Sequence, residues 1–422
     1  MDVLIVGAGV FGLSTALELT KRGGYKITIL DRSLPPVVDG SSVDANRIIR
    51  PDYADMTYCM MGLEAIKDWQ NHPLFRNHFY PSGLLLLGPS DSMYRDASFN
   101  NLSVMGSPCT KIHNTEDIRR IYSTWYTELK AHQRGYVNQI SGWADAEQSV
   151  KSVANYLVQQ GVTFVCGPSG TVKKLITDDD KVVGVETMDG QNKSADLVVL
   201  AAGAWTASLL PEQQYRLLTV GQPVGFIQLT EEERKRYRNY PVLLDFESGF
   251  YSFPPTRDGL LKFSRHGFGF TRTKEYENGK KESVPPLLPI SSTTLPKEAE
   301  KQLRTCLHTF YGKDISQRSF KKTRICYYTD TADADFVFDF HPKYKNLFLS
   351  TGGSGHGFKF FPVLGKYSVG CMLRELNIEY LKKWAWEKPD LKEFKLDGSR
   401  TGPLAYEYDP EMFKPLSELN SA

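Results

Sequence analysis

The chain has 422 residues, 41% of them hydrophobic and 24% charged, with a formal net charge of +2. That length exceeds one simple core and suggests two domains or a large composite one. The balanced charge lacks the basic excess of a nucleic-acid binder, and no apolar run approaches the roughly 18 residues of a membrane span.

In chain order, Val3-Leu4-Ile5-Val6 predicts a buried strand that runs into Gly7, Gly9 and Gly12, a Gly-x-Gly-x-x-Gly turn. A helix from about Phe11 to Lys21 follows, with Leu13, Ala16 and Leu17 on its buried face and Gly23-Gly24 past its end. Ile27-Thr28-Ile29-Leu30 predicts a second strand, closed by Asp31. A dinucleotide needs this order: a tight strand-to-helix turn, bare backbone at a helix N-terminus for the pyrophosphate, and an acid about 20 residues on for the ribose hydroxyls. A strand already at Val3 leaves no room for a signal peptide. The six cysteines (Cys59, Cys109, Cys166, Cys306, Cys326, Cys371) lie far apart without a Cys-x-x-Cys pair. Their spacing argues against a metal site or disulfide framework and for a reducing compartment. Cytosol is the expected location, because Leu419-Asn420-Ser421-Ala422 is not a Ser-Lys-Leu address.

The chain turns irregular through Pro35-Pro36 and Gly40-Ser41-Ser42, and helical spacing returns at Met60, Leu63, Ile66 and Trp69. Asp145 caps a further helix, with Gln148 completing a capping-box-like pair and Val150, Val153, Ala154, Leu157 and Val158 on one face. Short strands follow at Thr163–Val165, Thr171–Ile176 and Val182–Thr187, with a turn at Asp178-Asp179-Asp180. A returning strand, Ala195–Leu200, ends in Ala201-Ala202-Gly203. This helix, hairpin and returning strand suit a flavin-type nucleotide domain better than the regular βαβ repeats of a nicotinamide domain. Residues 215–320 carry strand-like runs at Phe226-Ile227 and Tyr251-Ser252-Phe253 and helical spacing at Ala299, Leu303, Leu307 and Phe310, as in an inserted substrate domain. The run Glu231–Arg236 is a solvated helix face.

The last third is dense in chemistry. Arg324-Ile325-Cys326-Tyr327-Tyr328 is followed by Leu347-Phe348-Leu349 and by Gly352-Gly353-Ser354-Gly355-His356-Gly357-Phe358-Lys359. A strand running into clustered glycines and then an apolar segment makes a second backbone anion site, or else a tight structural loop.

With these motifs, and with Asn46-Arg47-Ile48-Ile49-Arg50 and Gly259-Leu260-Leu261-Lys262, the chain resembles the sarcosine oxidase and fructosyl amino acid oxidase (amadoriase) family of FAD-dependent amine oxidases, to about residue 385. The fold that the resemblance implies is α/β. A Rossmann-type, glutathione reductase-like FAD-binding domain (1–85, 145–215 and 322–390) is interleaved with an α+β substrate domain (86–144 and 216–321) containing a mixed or antiparallel sheet, and 391–422 form a tail. The cofactor is FAD, joined covalently through Cys326; without the resemblance, Cys326 reads as a buried structural thiol.

Residue by residue, the resemblance gives Lys262 the face of the flavin where oxygen is reduced, since a fixed positive charge stabilises superoxide. Arg47 lies close to the flavin and to Lys262, and His266 completes the catalytic group. Arg50 and Lys359 clamp the substrate carboxylate, one as a planar fork and the other as a point charge. Tyr328 lines that pocket. Gly7, Gly9, Val10, Phe11 and Gly12 hold the FAD pyrophosphate, with Asp31 and Arg32 at the adenosine. Ser42, Asn46, Val172, Ala202, Gly203 and Trp205 are further cofactor contacts. Gly353, Gly355, His356, Gly357, Phe358 and Lys359 approach the ring or ribityl chain.

Fructosyl amino acid oxidases commonly place a glutamate about where His266 stands, and amadoriases carry lysine where this chain has Arg47. Arg265 adds a second possible anchor, with Arg400 another, favouring a substrate with more than one carboxylate. The expected function is oxidation of a secondary amino acid of the L-saccharopine or L-pipecolate type, in the fungal branch of the family. Hydride passes from the C–H next to nitrogen to flavin N5, and oxygen becomes hydrogen peroxide. The partners are that amino acid and oxygen, with no nucleic acid and no membrane, and the expected state is a monomer. The family leaves a peroxisomal location open. A fructosyl amino acid, an N-methylated biosynthetic amine, or flavin binding without turnover remain alternatives.

Overall fold

The computed structural model describes residues 1–125, 127–210, 216–275, 279, 281–285, 294–388, 398–400, 406–407 and 413–415. Most of the expected tail after 391, with the C-terminal tetrapeptide, lies outside the described residues.

The first sheet has six strands in the order Val337–Phe340, Leu347–Thr351, Leu197–Leu200, Asp2–Val6, Lys26–Leu30, Thr163–Val165. All neighbours are parallel except Val337–Phe340, which returns antiparallel. Val3 and Ile5 bury on one face and Leu4 and Val6 on the other. Such double burial explains the unbroken apolar run of a central parallel strand. The helix Val10–Arg22 covers one face, and Gly23, at φ 73°, donates to the Leu19 carbonyl at 3.0 Å to end it. Phe361–Met372 lies against this helix so closely that a Cβ on Gly365 would stand 1.9 Å from the Ser14 carbonyl oxygen.

The predicted helix at Met60–Trp69 spans Met56–Asn71, and Asp145 caps Ala146–Gln159 by accepting the Gln148 N–H at 3.0 Å. Val158 departs from expectation: it is 57% exposed. Eight residues of helix rotate a side chain about 80° away from its starting direction, which carries Val158 off the stripe begun by Val150.

The second sheet has ten strands. Its centre runs Leu218–Gln228, Leu260–Arg265, Phe250–Ser252, Val242–Asp245, Leu84–Pro89, Gln133–Asn138. The one parallel pair within that run, Val242–Asp245 with Leu84–Pro89, makes the sheet mixed. Two expected boundaries move. Leu84–Pro89 pairs whole within this sheet, so a break at 85 would cut a strand. Lys322–Asp330 pairs along its length with Leu218–Gln228, so Cys326 stands on the second sheet, and the nucleotide side resumes after Asp330. Leu261 and Phe263 bury toward the helix Lys297–Ser316 with Leu303, Leu307 and Phe310. Alternation along the strand then turns Lys262 and Ser264 to the opposite face. Among the described residues no helix is long and apolar enough to cross a membrane.

Candidate active site

A cavity of about 970 Å³ runs from the carboxyl ends of the first sheet's strands to the Lys262 face of the second. Ligands of open α/β sheets bind at such strand ends. Gly7 sits at φ 110°, where an added Cβ would stand 2.4 Å from the Ala201 carbonyl oxygen. On Gly12 it would stand 1.9 Å from the Gly7 oxygen, so this glycine serves helix-to-strand packing and does not line the cavity. Gly9, Val10 and Phe11 do line it, and Ser42 Oγ accepts the Val10 N–H at 2.9 Å. The Asp31 carboxylate accepts the Ala8 N–H at 2.7 Å and the Arg32 N–H at 2.6 Å. Burial raises its pKa against those two hydrogen bonds. The Arg32 guanidinium stacks 4.2 Å from the Trp205 ring centre. Val172, Ala202 and Gly203 complete this end.

At the other end, Lys262 is fully buried. Its Nζ lies 2.9 Å from an Asp44 carboxylate oxygen, donates to the Asn46 carbonyl at 2.6 Å, and stands 4.8 Å from the Phe253 ring centre. Arg47 donates to the same Asp44 oxygen at 2.5 Å and to Cys326 Sγ at 3.4 Å, while Arg324 comes within 4.0 Å of Asp44. Burial pushes Lys262 down to about 7, with Asp44 opposing the shift and Arg47 adding to it. Burial alone would raise Asp44, but Lys262, Arg47 and Arg324 together hold it well below the usual carboxylate range.

Arg50 and Lys359 converge on one aromatic ring: the Arg50 guanidinium lies 4.7 Å and Lys359 Nζ 5.5 Å from the centre of Tyr53. Arg50 is buried, lines the cavity, and has an Nη1 without a hydrogen-bond partner among the described residues. Lys359 donates to the His356 carbonyl at 2.9 Å. His356 itself is pinned at both ring nitrogens, by the Tyr53 hydroxyl at 3.1 Å and the Ala334 carbonyl at 2.8 Å. His266 lines the cavity with Tyr328, its Nε2 3.2 Å from Ser399 Oγ. Burial, reinforced by Arg400, Arg50 and Lys359, pushes His266 far below the ordinary imidazole value.

Gly353, Gly355, Gly357 and Phe358 line the same end. Gly355, at φ 74°, lies so close under Tyr328 that an added Cβ would stand 2.4 Å from its ring.

Arg265 does not join the cavity. It is one residue out of phase with Lys262, Ser264 and His266, so its side chain crosses to the other face, donating to the Ser248 carbonyl at 2.8 Å and to Gln302. Arg400 stands beside the site without lining it: it is held by Asp330 in a two-pronged pair, with Nη2 3.2 Å from the Ser354 carbonyl oxygen.

Asn46 also lies outside the cavity lining, yet it is fully buried, and among the described residues neither of its side-chain polar atoms has a hydrogen-bond partner. Orphaned buried amides are rare. Beside the glycine cradle and an elongated cavity reaching Cys326, they fit a dinucleotide with a polar ring system.

The sequence reading did not single out Tyr251 and Phe253 as lining residues or Asp44 as the partner of Lys262. The available signal for the first two was their alternation within Tyr251-Ser252-Phe253, because the register Tyr251↔Ser264 puts them on the Lys262 face. Asp44 carried no such signal; its partner arrives from a distant strand.

Residues 2–369 match the family model described as FAD dependent oxidoreductase. L-saccharopine oxidase of Schizosaccharomyces pombe is 35% identical over 408 residues, covering 92% of this chain and 93% of that protein. Monomeric sarcosine oxidase of Bacillus sp. (strain NS-129) is 28% identical, covering 93% and 99%. The crystal structure of the deglycating fructosamine oxidase (Amadoriase II) of Aspergillus fumigatus superposes with a TM-score of 0.84 at 29% identity, covering 96% of this chain and 95% of that one.

Proposed function

The chain belongs to the FAD-dependent oxidoreductase family, and on that basis we propose that it is an oxidase of a secondary amino acid of the L-saccharopine or L-pipecolate type, yielding an imine and hydrogen peroxide. The observation that carries this reading is the convergence of buried Arg50 and Lys359 on Tyr53, in the cavity that also holds Lys262 and Cys326. Bound FAD, attached through Cys326, supplies hydride acceptance from the C–H next to nitrogen and delivery of electrons to oxygen.

The chain's own residues orient and charge the reaction. Arg50 and Lys359 fix the carboxylate, which orients the neighbouring C–H and amine. His266 stays neutral in its buried setting and adds no cation to that clamp. Lys262 supplies the positive charge beside which oxygen is reduced.

The saccharopine or pipecolate assignment draws on the likeness to the L-saccharopine oxidase of Schizosaccharomyces pombe and on a histidine at position 266 where the family resemblance places an acid in deglycating oxidases. The fold likeness to Amadoriase II supports a second reading, a fructosyl amino acid substrate. The enzyme is read as a monomer, in line with the name of the Bacillus relative, and as cytosolic, where its six free cysteines stay reduced. A peroxide-release assay with saccharopine, pipecolate, sarcosine and fructosyl-valine tests the proposal. Release with either of the first two supports it, and release with fructosyl-valine alone overturns it.

A further inference from the structure

Among the described residues, Asp44 is the single carboxylate paired with any of three clustered cations, the buried Lys262 and the partly buried Arg47 and Arg324. Its other oxygen accepts the Ala45 N–H at 2.8 Å, and its backbone carbonyl accepts the Glu147 N–H at 3.3 Å, so the paired oxygen is aimed at the cations. We propose that Asp44 is the positioning residue of the oxygen half-reaction, its carboxylate holding Lys262 as an ammonium facing the cavity. This rests on the reading of Lys262 as the oxygen site.

The charge balance gives the reason. Arg47 and Arg324 keep their protons under all ordinary conditions, so a cluster without Asp44 relieves repulsion in one way, by releasing the Lys262 proton. Lys262 already titrates near neutrality, because burial works against its charge while Asp44 supports it. The other neighbours of the cluster, Cys326 from Lys322–Asp330 beside Lys262 and Tyr251 beside Arg47, bring no carboxylate to it. Asn46 contributes a backbone carbonyl, which fixes the direction of Nζ and carries no net charge.

Two readouts test the proposal on the flavin-loaded protein. One is a pH titration of the oxidised flavin spectrum, which is independent of turnover and is assigned to Lys262 by its loss in Lys262→Met. The other is stopped-flow reoxidation of dithionite-reduced protein in aerated buffer. Asp44→Asn is expected to lower the titration midpoint by about one pH unit or more and to slow reoxidation near neutral pH about tenfold. Arg324→Gln, which removes a competing cation, is expected to raise the midpoint, and it carries the test should Asp44→Asn fail to fold. A parental midpoint and rate in Asp44→Asn, or a lowered or unchanged midpoint in Arg324→Gln, overturns the proposal. Parental reoxidation in Lys262→Met would instead remove the oxygen-site reading on which it rests.

Discussion

The Arg47 guanidinium donates to Cys326 Sγ at 3.4 Å, joining the short strand Arg47–Ile49 to the second sheet at the cavity wall. If Cys326 carries the flavin, acid precipitation leaves the yellow colour in the protein pellet, and Cys326→Ser sends it to the supernatant. Colour wholly in the supernatant for the unsubstituted protein removes the covalent bond.

Lys262→Met should separate the two halves of turnover. Removing one preorganised charge from a reacting site typically costs roughly 10²–10³-fold, and here that loss should fall on reoxidation. Anaerobic reduction by substrate should stay within a few-fold of the parent. Rapid-mixing absorbance measures both, and equal slowing of the two steps argues against a role confined to oxygen.

Arg50→Gln should weaken substrate capture. A hydrogen bond to a charged group is worth about 1.5–3 kcal/mol, so kcat/KM should fall roughly 10–150-fold. The corresponding amine without the carboxylate should lose little. Equal losses on acid and decarboxylated amine would place Arg50 outside the clamp.

Acid should destabilise the protein before its carboxylates titrate. His266 and His356 are both pushed well below 6.5 by burial, with nearby cations adding to the shift. Below about pH 6.5 the unfolded chain binds protons at these rings that the folded chain does not, so stability is full above that pH and falls as pH drops through it, by about 1.4 kcal/mol per ring for each pH unit. Thermal melting across that range checks this, with His356→Gln expected to flatten the slope. A melting temperature that stays level through the range contradicts it.

Local spacing made the nucleotide half legible: Gly7 to Gly12, Asp31, and the strand and helix runs around them needed no knowledge of distant partners. Lys262 and His266 were legible only through the family resemblance, and both line the cavity. Arg265 was misread because charge was weighed ahead of strand alternation, which sends it across the sheet to Gln302. Strand partners were not legible. The pairing of Lys322–Asp330 with Leu218–Gln228 moves Cys326 to the second sheet, and the meeting of Asp44 with Lys262 depends on tertiary packing that no local pattern encodes.

Anaerobic mixing of the flavin-loaded protein with each candidate amine, followed by admission of air, is the most direct measurement. Saccharopine or pipecolate is expected to bleach the flavin band within a turnover, and air is expected to restore it with one peroxide for each imine formed. Bleaching by fructosyl-valine alone, or by none of the amino acids, would contradict a secondary amino acid oxidase.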